Sequence, residues 1–437
     1  MSNIVAIVGR PNVGKSTLFN RLTGTKSAII DPTSGVTRDR HYGSSSWNGK
    51  TFSVIDTGGY MRGGDDQFEK EICQQVEIAI DEADSILFLV DAKEGLTPMD
   101  EDIAQMLRKS HKKVFLVCNK VDSFQKSMIV SEFYSLGLGD IFEISAANGS
   151  GTGELLDELV KDFADKEDFD DEEDNLPHLA VIGRPNVGKS SFINMITSQD
   201  RNIVKDISGT TRDSINTRYT LFGFDFVIID TAGLRKKSAV KENIEFYSVM
   251  RAVRSIETAD VCIVMVDASV GFDAQDLNIF SLATRNNKGV VLCINKWDKI
   301  EKDDKTMKVF EESIRQKLEP FSDVPIIFTS VLNKQRIFKV LETARMVYEN
   351  RQRKISTSKL NDDILPIVRE INPPPMYKGK RVKIKYIMQL KTPYPQFVFY
   401  CNLPQYVKAD YIRFCENKLR EKYDFQGVPI TIYFRES

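Results

Sequence analysis

The sequence predicts two tandem, doubly wound α/β domains with mostly parallel sheets, followed by a small α+β domain. Three observations carry this. The phosphate-loop pattern G-x-x-x-x-G-K-[ST] occurs twice, as Gly9-Arg10-Pro11-Asn12-Val13-Gly14-Lys15-Ser16 and as Gly183-Arg184-Pro185-Asn186-Val187-Gly188-Lys189-Ser190. Its companions recur in the same order: Thr37 and Asp56 as Thr211 and Asp230, each 174 residues on, and Asn119-Lys120-Val121-Asp122 as Asn295-Lys296-Trp297-Asp298, 176 residues on. Around each set, short apolar runs alternate with helical patterns, as βαβ units require.

In the first repeat the apolar runs predict strands at 4–8, 52–55, 86–90, 114–118 and 141–144. In the second they predict strands at 179–182, 226–229, 261–266, 290–294 and 326–328. Runs such as Ile86-Leu87-Phe88-Leu89-Val90 read as parallel strands buried on both faces. Between Asp162 and Asp174 stand nine acids and one lysine, a self-repelling connector with few residues able to pack. The expected limits are therefore 1–163 for the first domain, 164–176 for the linker, 177–350 for the second domain and 351–437 for the last. In the final segment Val382, Ile384, Tyr386 and Met388 alternate with Arg381, Lys383 and Lys385, a strand with one apolar and one basic face. A second strand at 397–401, a helix carrying Tyr411, Cys415 and Leu419, and a last strand through Ile430, Ile432 and Phe434 complete it.

Composition sets outer bounds. A chain of 437 residues has room for about three domains. No apolar run is long enough to span a membrane. The first strand leads straight into a phosphate loop, so no signal peptide is expected. Six scattered cysteines show no C-x-x-C spacing, which suits reduced thiols in a cytoplasmic protein. The net charge of −2 hides an asymmetry: from Arg351 onward, 17 Lys and Arg face 8 Asp and Glu, a net of +9. A basic tail of this kind points to an anionic partner.

Each motif implies a chemistry. The loop glycines let backbone N–H groups turn inward around phosphate oxygens at a helix N-terminus. Lys15 and Lys189 are expected to reach the β- and γ-phosphates. The hydroxyls of Ser16 and Ser190 are expected on Mg²⁺, and Thr17 and Ser191 beside them complete the phosphate set. Asp56-Thr57-Gly58-Gly59 and Asp230-Thr231-Ala232-Gly233 end apolar strands; there an aspartate can hold Mg²⁺ through water and a glycine N–H can reach a γ-phosphate. Thr37 and Thr211 lie in polar segments able to close on Mg²⁺ and the γ-phosphate, and with the two lysines form the expected catalytic set. Asn-Lys-x-Asp selects the base. A carboxylate, Asp122 or Asp298, accepts two hydrogen bonds from guanine's ring N–H and amine, and adenine offers no such donor pair. Asn119 and Asn295 brace the loops, and Lys120 and Lys296 lie along the base. Ser145-Ala146 is placed to support the base in the first domain, and Ser330-Val331 stands at the corresponding place in the second.

These motif sets resemble those of small Ras-like P-loop GTPases, and the tandem arrangement with a basic tail is similar to the EngA/Der family of bacterial ribosome-assembly GTPases. The tail is similar to that family's KH-like domain. The resemblance covers essentially the whole chain. It implies GTP and GDP as ligands, hydrolysis of GTP, assistance in maturing the large ribosomal subunit, and nucleotide-dependent contact with that subunit and its rRNA by a monomer, without DNA or membrane. Ras-like enzymes commonly place a water-orienting glutamine where this chain has Tyr60 and Leu234, which cannot act as bases. In some members with a hydrophobic replacement, the phosphate-loop asparagine holds K⁺; Asn12 and Asn186 stand at that position. The tail lacks G-x-x-G, so phosphate and shape recognition is expected there rather than base clamping. A protein-binding switch in membrane or division processes would instead carry a lipidation signal or amphipathic anchor, and the sequence has neither. A tRNA-modification enzyme would need a further catalytic domain for which the chain has no room.

Overall fold

The computed structural model describes residues 3–24, 42–57, 73, 76–77, 79–80, 83–110, 112–121, 130–163, 176–197, 205–208, 215–229, 253–301, 305–371, 374, 376, 379 and 381–436. They fall into two compact units, one within Met1–Asp170 and Val240–Arg254 and the other within Asp171–Ala239 and Ser255–Ser437.

The first unit is built on a six-stranded sheet. Its strands are β1 (Asn3–Val8), β2 (Tyr42–Trp47), β3 (Lys50–Asp56), β4 (Ser85–Asp91), β5 (Lys113–Asn119) and β6 (Ile141–Glu143), in the order β2-β3-β1-β4-β5-β6. All neighbours are parallel except β2, which runs antiparallel to β3. β4 is buried along its whole length, as a central strand covered on both faces must be. Helices Lys15–Gly24 and Thr152–Val160 add Leu18, Phe19, Leu22, Leu155 and Leu159 to one core cluster with Val5, Ile7 and Leu87.

The second unit holds a seven-stranded sheet and a three-stranded one. The larger contains β7 (His178–Gly183), β8 (Lys205–Ser208), β9 (Ile215–Tyr219), β10 (Phe226–Ile229), β11 (Val261–Asp267), β12 (Gly289–Asn295) and β13 (Ile326–Phe328), in the order β13-β12-β11-β7-β10-β9-β8. Apart from the extra edge strand β8, this is the order of the first sheet. The ten strands expected in the two repeats are all present. β2, β8 and β9 were not expected. β2 is a polar run, Tyr-Gly-Ser-Ser-Ser-Trp, and its pairing comes from the backbone of β3 rather than from apolar alternation.

The smaller sheet contains β14 (Ile384–Gln389), β15 (Gln396–Cys401) and β16 (Thr431–Glu436); β15 pairs antiparallel with β14 and parallel with β16. Helices Thr357–Pro366 and Ala409–Lys422 cover one face through Leu360, Ile364, Tyr411, Cys415 and Leu419. The expected alternation along β14 needs correction. A register shift between Ile384 and Tyr386 turns Ile387 into the core and leaves Tyr386 41% exposed, stacked on Tyr400 at 4.4 Å. The apolar face is Val382, Ile384 and Ile387, not Tyr386 and Met388.

The last segment is rooted in the second GTPase-like sheet. Val428 belongs to that sheet's core cluster, Val290 N–H donates to Gly427 O at 2.7 Å, and Gly427 N–H donates to Asp323 O at 2.8 Å. Arg420 pairs with Asp323 and lies over the Phe321 ring at 4.8 Å. Helix Ile337–Gln352 runs past the expected boundary at 351, and Arg351 pairs with Asp260 at 2.9 Å. Two of the tail's basic residues thus serve internal packing. Arg381, Lys383 and Lys385 are exposed. Five of the six cysteines are buried and all are free thiols. Among the described residues, no helix is long and apolar enough to cross a membrane.

Candidate functional site

Each phosphate loop leaves the carboxyl end of a central strand, β1 or β7, and runs into a helix that starts at its lysine. The loop turns by left-handed backbone at matching places: φ is +147°, +65° and +101° at Gly9, Asn12 and Gly14, and +145°, +63° and +106° at Gly183, Asn186 and Gly188. Val13 and Val187 plug the loop into the core. Pro11 and Pro185 are half-buried, while Asn12, Asn186, Thr17 and Ser191 face solvent. Lys15 Nζ donates to Gly9 O at 2.7 Å and to Arg10 O at 2.8 Å; Lys189 Nζ donates to Gly183 O and Arg184 O, both at 2.6 Å. Burial draws the Lys15 ammonium down to about 8, with Asp56 opposing. An arriving phosphate would favour the charged form again.

Ser16 Oγ donates to Asp56 Oδ2 at 2.6 Å, and Asp56 is fully buried. Two hard oxygen donors side by side at the phosphate end of the loop suit Mg²⁺. Thr57 is buried and donates its hydroxyl to Ile7 O at 2.9 Å, which ties the end of β3 to β1. Ser190 is the second residue of its helix, as Ser16 is of its own. Thr37, Gly58, Gly59, Tyr60, Asp122, Thr211, Asp230, Thr231, Ala232, Gly233 and Leu234 lie outside the described residues.

The loops expected to read the base follow β5 and β12. Asn119 Nδ2 donates to Val13 O at 2.8 Å while its Oδ1 accepts from Ala146 N–H at 2.9 Å. Asn295 repeats both bonds, to Val187 O at 2.8 Å and from Val331 N–H at 3.1 Å. One asparagine therefore ties phosphate loop, base-reading loop and base-supporting loop together, and Val331 takes the place of Ala146. Val121 N–H donates to Ile144 O and Trp297 N–H to Thr329 O, so the backbone is equivalent too. Lys120 and Lys296 have left-handed backbone, φ +68° and +61°. Ser330 Oγ donates to Asp298 Oδ1 at 2.5 Å, which aims that carboxylate; Ser145 is buried in the matching loop.

Three residues escaped the motif reading. Lys120 pairs with Asp91 and Lys296 with Asp267, the second at 2.5 Å; these aspartates end β4 and β11. They recur 176 residues apart, as the Asn-Lys-x-Asp motifs do, so the spacing held the signal. Arg21, on the helix after the first phosphate loop, donates to Ala146 O and Ala147 O, both at 2.6 Å. The residue 174 positions on is Met195, which cannot donate, so this support belongs to the first domain alone.

A family model described as a 50S ribosome-binding GTPase matches residues 4–120 and again 178–296, and one described as the KH-domain-like C-terminal part of EngA bacterial GTPase enzymes matches 354–435. GTPase Der of Christiangramia forsetii is 62% identical over 436 residues, spanning 100% of both chains. GTPase Der of Flavobacterium johnsoniae is 60% identical over 435 residues, spanning 100% of this chain and 99% of that one. A crystal structure of Era with MgGDPNP and nucleotides 1506-1542 of 16S ribosomal RNA aligns at TM-score 0.31 and 21% identity, over 60% of this chain and 92% of that chain.

Proposed function

The chain belongs to the GTPase Der family, and from that premise we propose that it is a GTP-driven switch assisting ribosome biogenesis in the cytoplasm, at the maturation of the large subunit. It is a GTPase with two nucleotide-binding domains and a KH-like tail. The observation that supports the ribosomal role is the tail: a net charge of +9, with Arg381, Lys383 and Lys385 exposed on and beside β14. Such a face releases counterions from an RNA backbone on binding.

In the reaction, water attacks the γ-phosphorus, the bond to the β–γ bridging oxygen breaks, and GDP and phosphate leave. The loop N–H groups hold the phosphates. Lys15 and Lys189 turn from backbone carbonyls to the β- and γ-oxygens and neutralise charge that builds there. Mg²⁺, when bound, supplies further neutralisation; Ser16 and Asp56 would hold it in the first domain, with Thr37, and Ser190, Asp230 and Thr211 in the second. Asp122 and Asp298 read guanine. Tyr60 and Leu234 cannot polarise water, so a monovalent cation beside Asn12 and Asn186 is assigned the missing positive charge. The left-handed φ of both asparagines also suits the residue type by loop shape alone. Replacing Na⁺ by K⁺ at constant ionic strength is expected to raise the hydrolysis rate, and Asn12→Ala with Asn186→Ala to erase the difference. Equal rates in the two salts would leave the asparagines as loop-shaping residues.

Co-sedimentation with large ribosomal subunits tests the ribosomal reading. Binding is expected to be strongest with a non-hydrolysable GTP analogue and to weaken with added salt. Replacing Lys378, Lys380, Arg381, Lys383 and Lys385 by Glu should abolish it while GTP affinity stays within about twofold, since none of the five belongs to a nucleotide motif. Undiminished binding by that variant would move the contact off the tail.

A further inference from the structure

The arginine of each phosphate loop points away from where phosphate would sit. Arg10 is 8% exposed, and its Nε donates to Asp100 Oδ2 at 3.2 Å while its Nη1 meets Glu94. Arg184 repeats this more fully: Nε donates to Asp276 Oδ1 at 2.9 Å, Nη2 lies 2.8 Å from Asp276 Oδ2, Nη1 pairs with Asp273 at 2.5 Å and Nη2 also donates to Gly271 O at 3.1 Å. Both acceptor aspartates are fully buried. At Arg184 the two-pronged contact with Asp276 holds the guanidinium in direction as well as distance; at Arg10 the single contact with Asp100 leaves Arg10 Nη2 and Asp100 Oδ1 buried without a hydrogen-bond partner.

The carboxylates are themselves fixed. Asp100 and Asp276 are the third residues of helices Pro98–Lys109 and Ala274–Arg285, and each closes a capping box with its N-cap, Thr97 or Asp273. Nine residues earlier stand Asp91 and Asp267, which hold Lys120 and Lys296. Lys120 Nζ in turn donates to Asn12 O at 2.7 Å. The ten-residue segments 91–100 and 267–276 thus grip the phosphate loop with one end and the base-reading loop with the other. They recur at the 176-residue offset and lie outside every nucleotide motif.

We propose that Arg10 and Arg184 are positioning residues, anchored to Asp100 and Asp276 so that each phosphate loop keeps its nucleotide-binding shape and stays in register with the guanine-reading loop. The arginine itself does not touch nucleotide. Its guanidinium faces these carboxylates, with every prong used at Arg184 and Nε and Nη1 used at Arg10, while its backbone carbonyl accepts from the resting lysine.

The chain's two tryptophans allow a test on one domain at a time, since Trp47 lies in the first and Trp297 in the second, next to Asp298. In full-length protein carrying Trp47→Phe and, to empty the first site, Gly14→Ala, energy transfer from Trp297 to methylanthraniloyl-GDP and methylanthraniloyl-GTP reports the second site. Arg184→Met is expected to weaken both nucleotides at least tenfold and to equal extents, because the loop shape serves both. Asp276→Asn keeps an acceptor for the capping box but loses the charge, and should weaken them comparably. The double variant should be no worse than either single one, and Arg184→Lys should restore part of the loss. Affinity within twofold of the parent for Arg184→Met, or for Asp276→Asn if the arginine variant does not fold, would overturn the proposal, as would losses that simply add in the double variant.

Discussion

Asp298→Ala is expected to abolish guanine selectivity in the second domain and to weaken GTP there about a hundred- to ten-thousand-fold. On the proposed reading the carboxylate accepts from two donors on the base, and each charge-assisted hydrogen bond contributes about 1.5–3 kcal/mol. Ser330 Oγ holds it at 2.5 Å, so it is presented rather than free to search. The phosphate loop is untouched by this change. GTP and ATP should therefore bind the altered site with similar, weak affinity. Calorimetry on the intact chain should lose one of two GTP sites, and Asp122→Ala should remove the other. Tight ATP binding by the parent protein would refute this account of base choice.

Gly188→Ala should act differently, removing all nucleotide binding from the second domain regardless of base. The glycine sits at φ +106°, where an L-residue is strained by about 1–3 kcal/mol. A Cβ there would also lie 2.4 Å from Asn295 Nδ2. That amide cannot simply swing aside. It donates to Val187 O, and its oxygen accepts from Val331 N–H. The added methyl therefore disturbs phosphate loop, base-reading loop and base-supporting loop together. Binding of GDP, GTP and ATP to that domain should all fall by about a hundredfold or more, the combined cost of strain and of displacing a buried hydrogen-bonded amide. Gly14→Ala, whose Cβ would lie 2.3 Å from Asn119 Nδ2, should do the same in the first domain. Displacement titrations with all three nucleotides separate this from the Asp298→Ala outcome. A variant that kept guanine nucleotides at near-parent affinity would show that the loop can yield without loss.

Sequence alone determined the repeat, the two nucleotide motif sets, the family and ten of the thirteen strands described in the two repeats. Each of these rests on local chemistry. A strand buried on both faces must be apolar throughout, so β4 and β11 announce themselves. A loop that wraps phosphate with its backbone needs glycine and lysine at fixed spacing. The edge strands β2 and β8, and β9 beside β8, were hidden because a polar strand has no apolar period, and its pairing is chosen by a neighbouring strand rather than by its own pattern. The side of β14 on which Tyr386 lies was set by a register shift, which alternation cannot reveal. Only the tertiary structure decided that Arg10 and Arg184 serve the loop from behind, because their partners Asp100 and Asp276 lie 90 and 92 residues away. It likewise put Val428 into the core of the second GTPase sheet rather than its own. Ion pairs and cores join residues that distance along the chain keeps apart, whereas a motif is legible because its parts are neighbours.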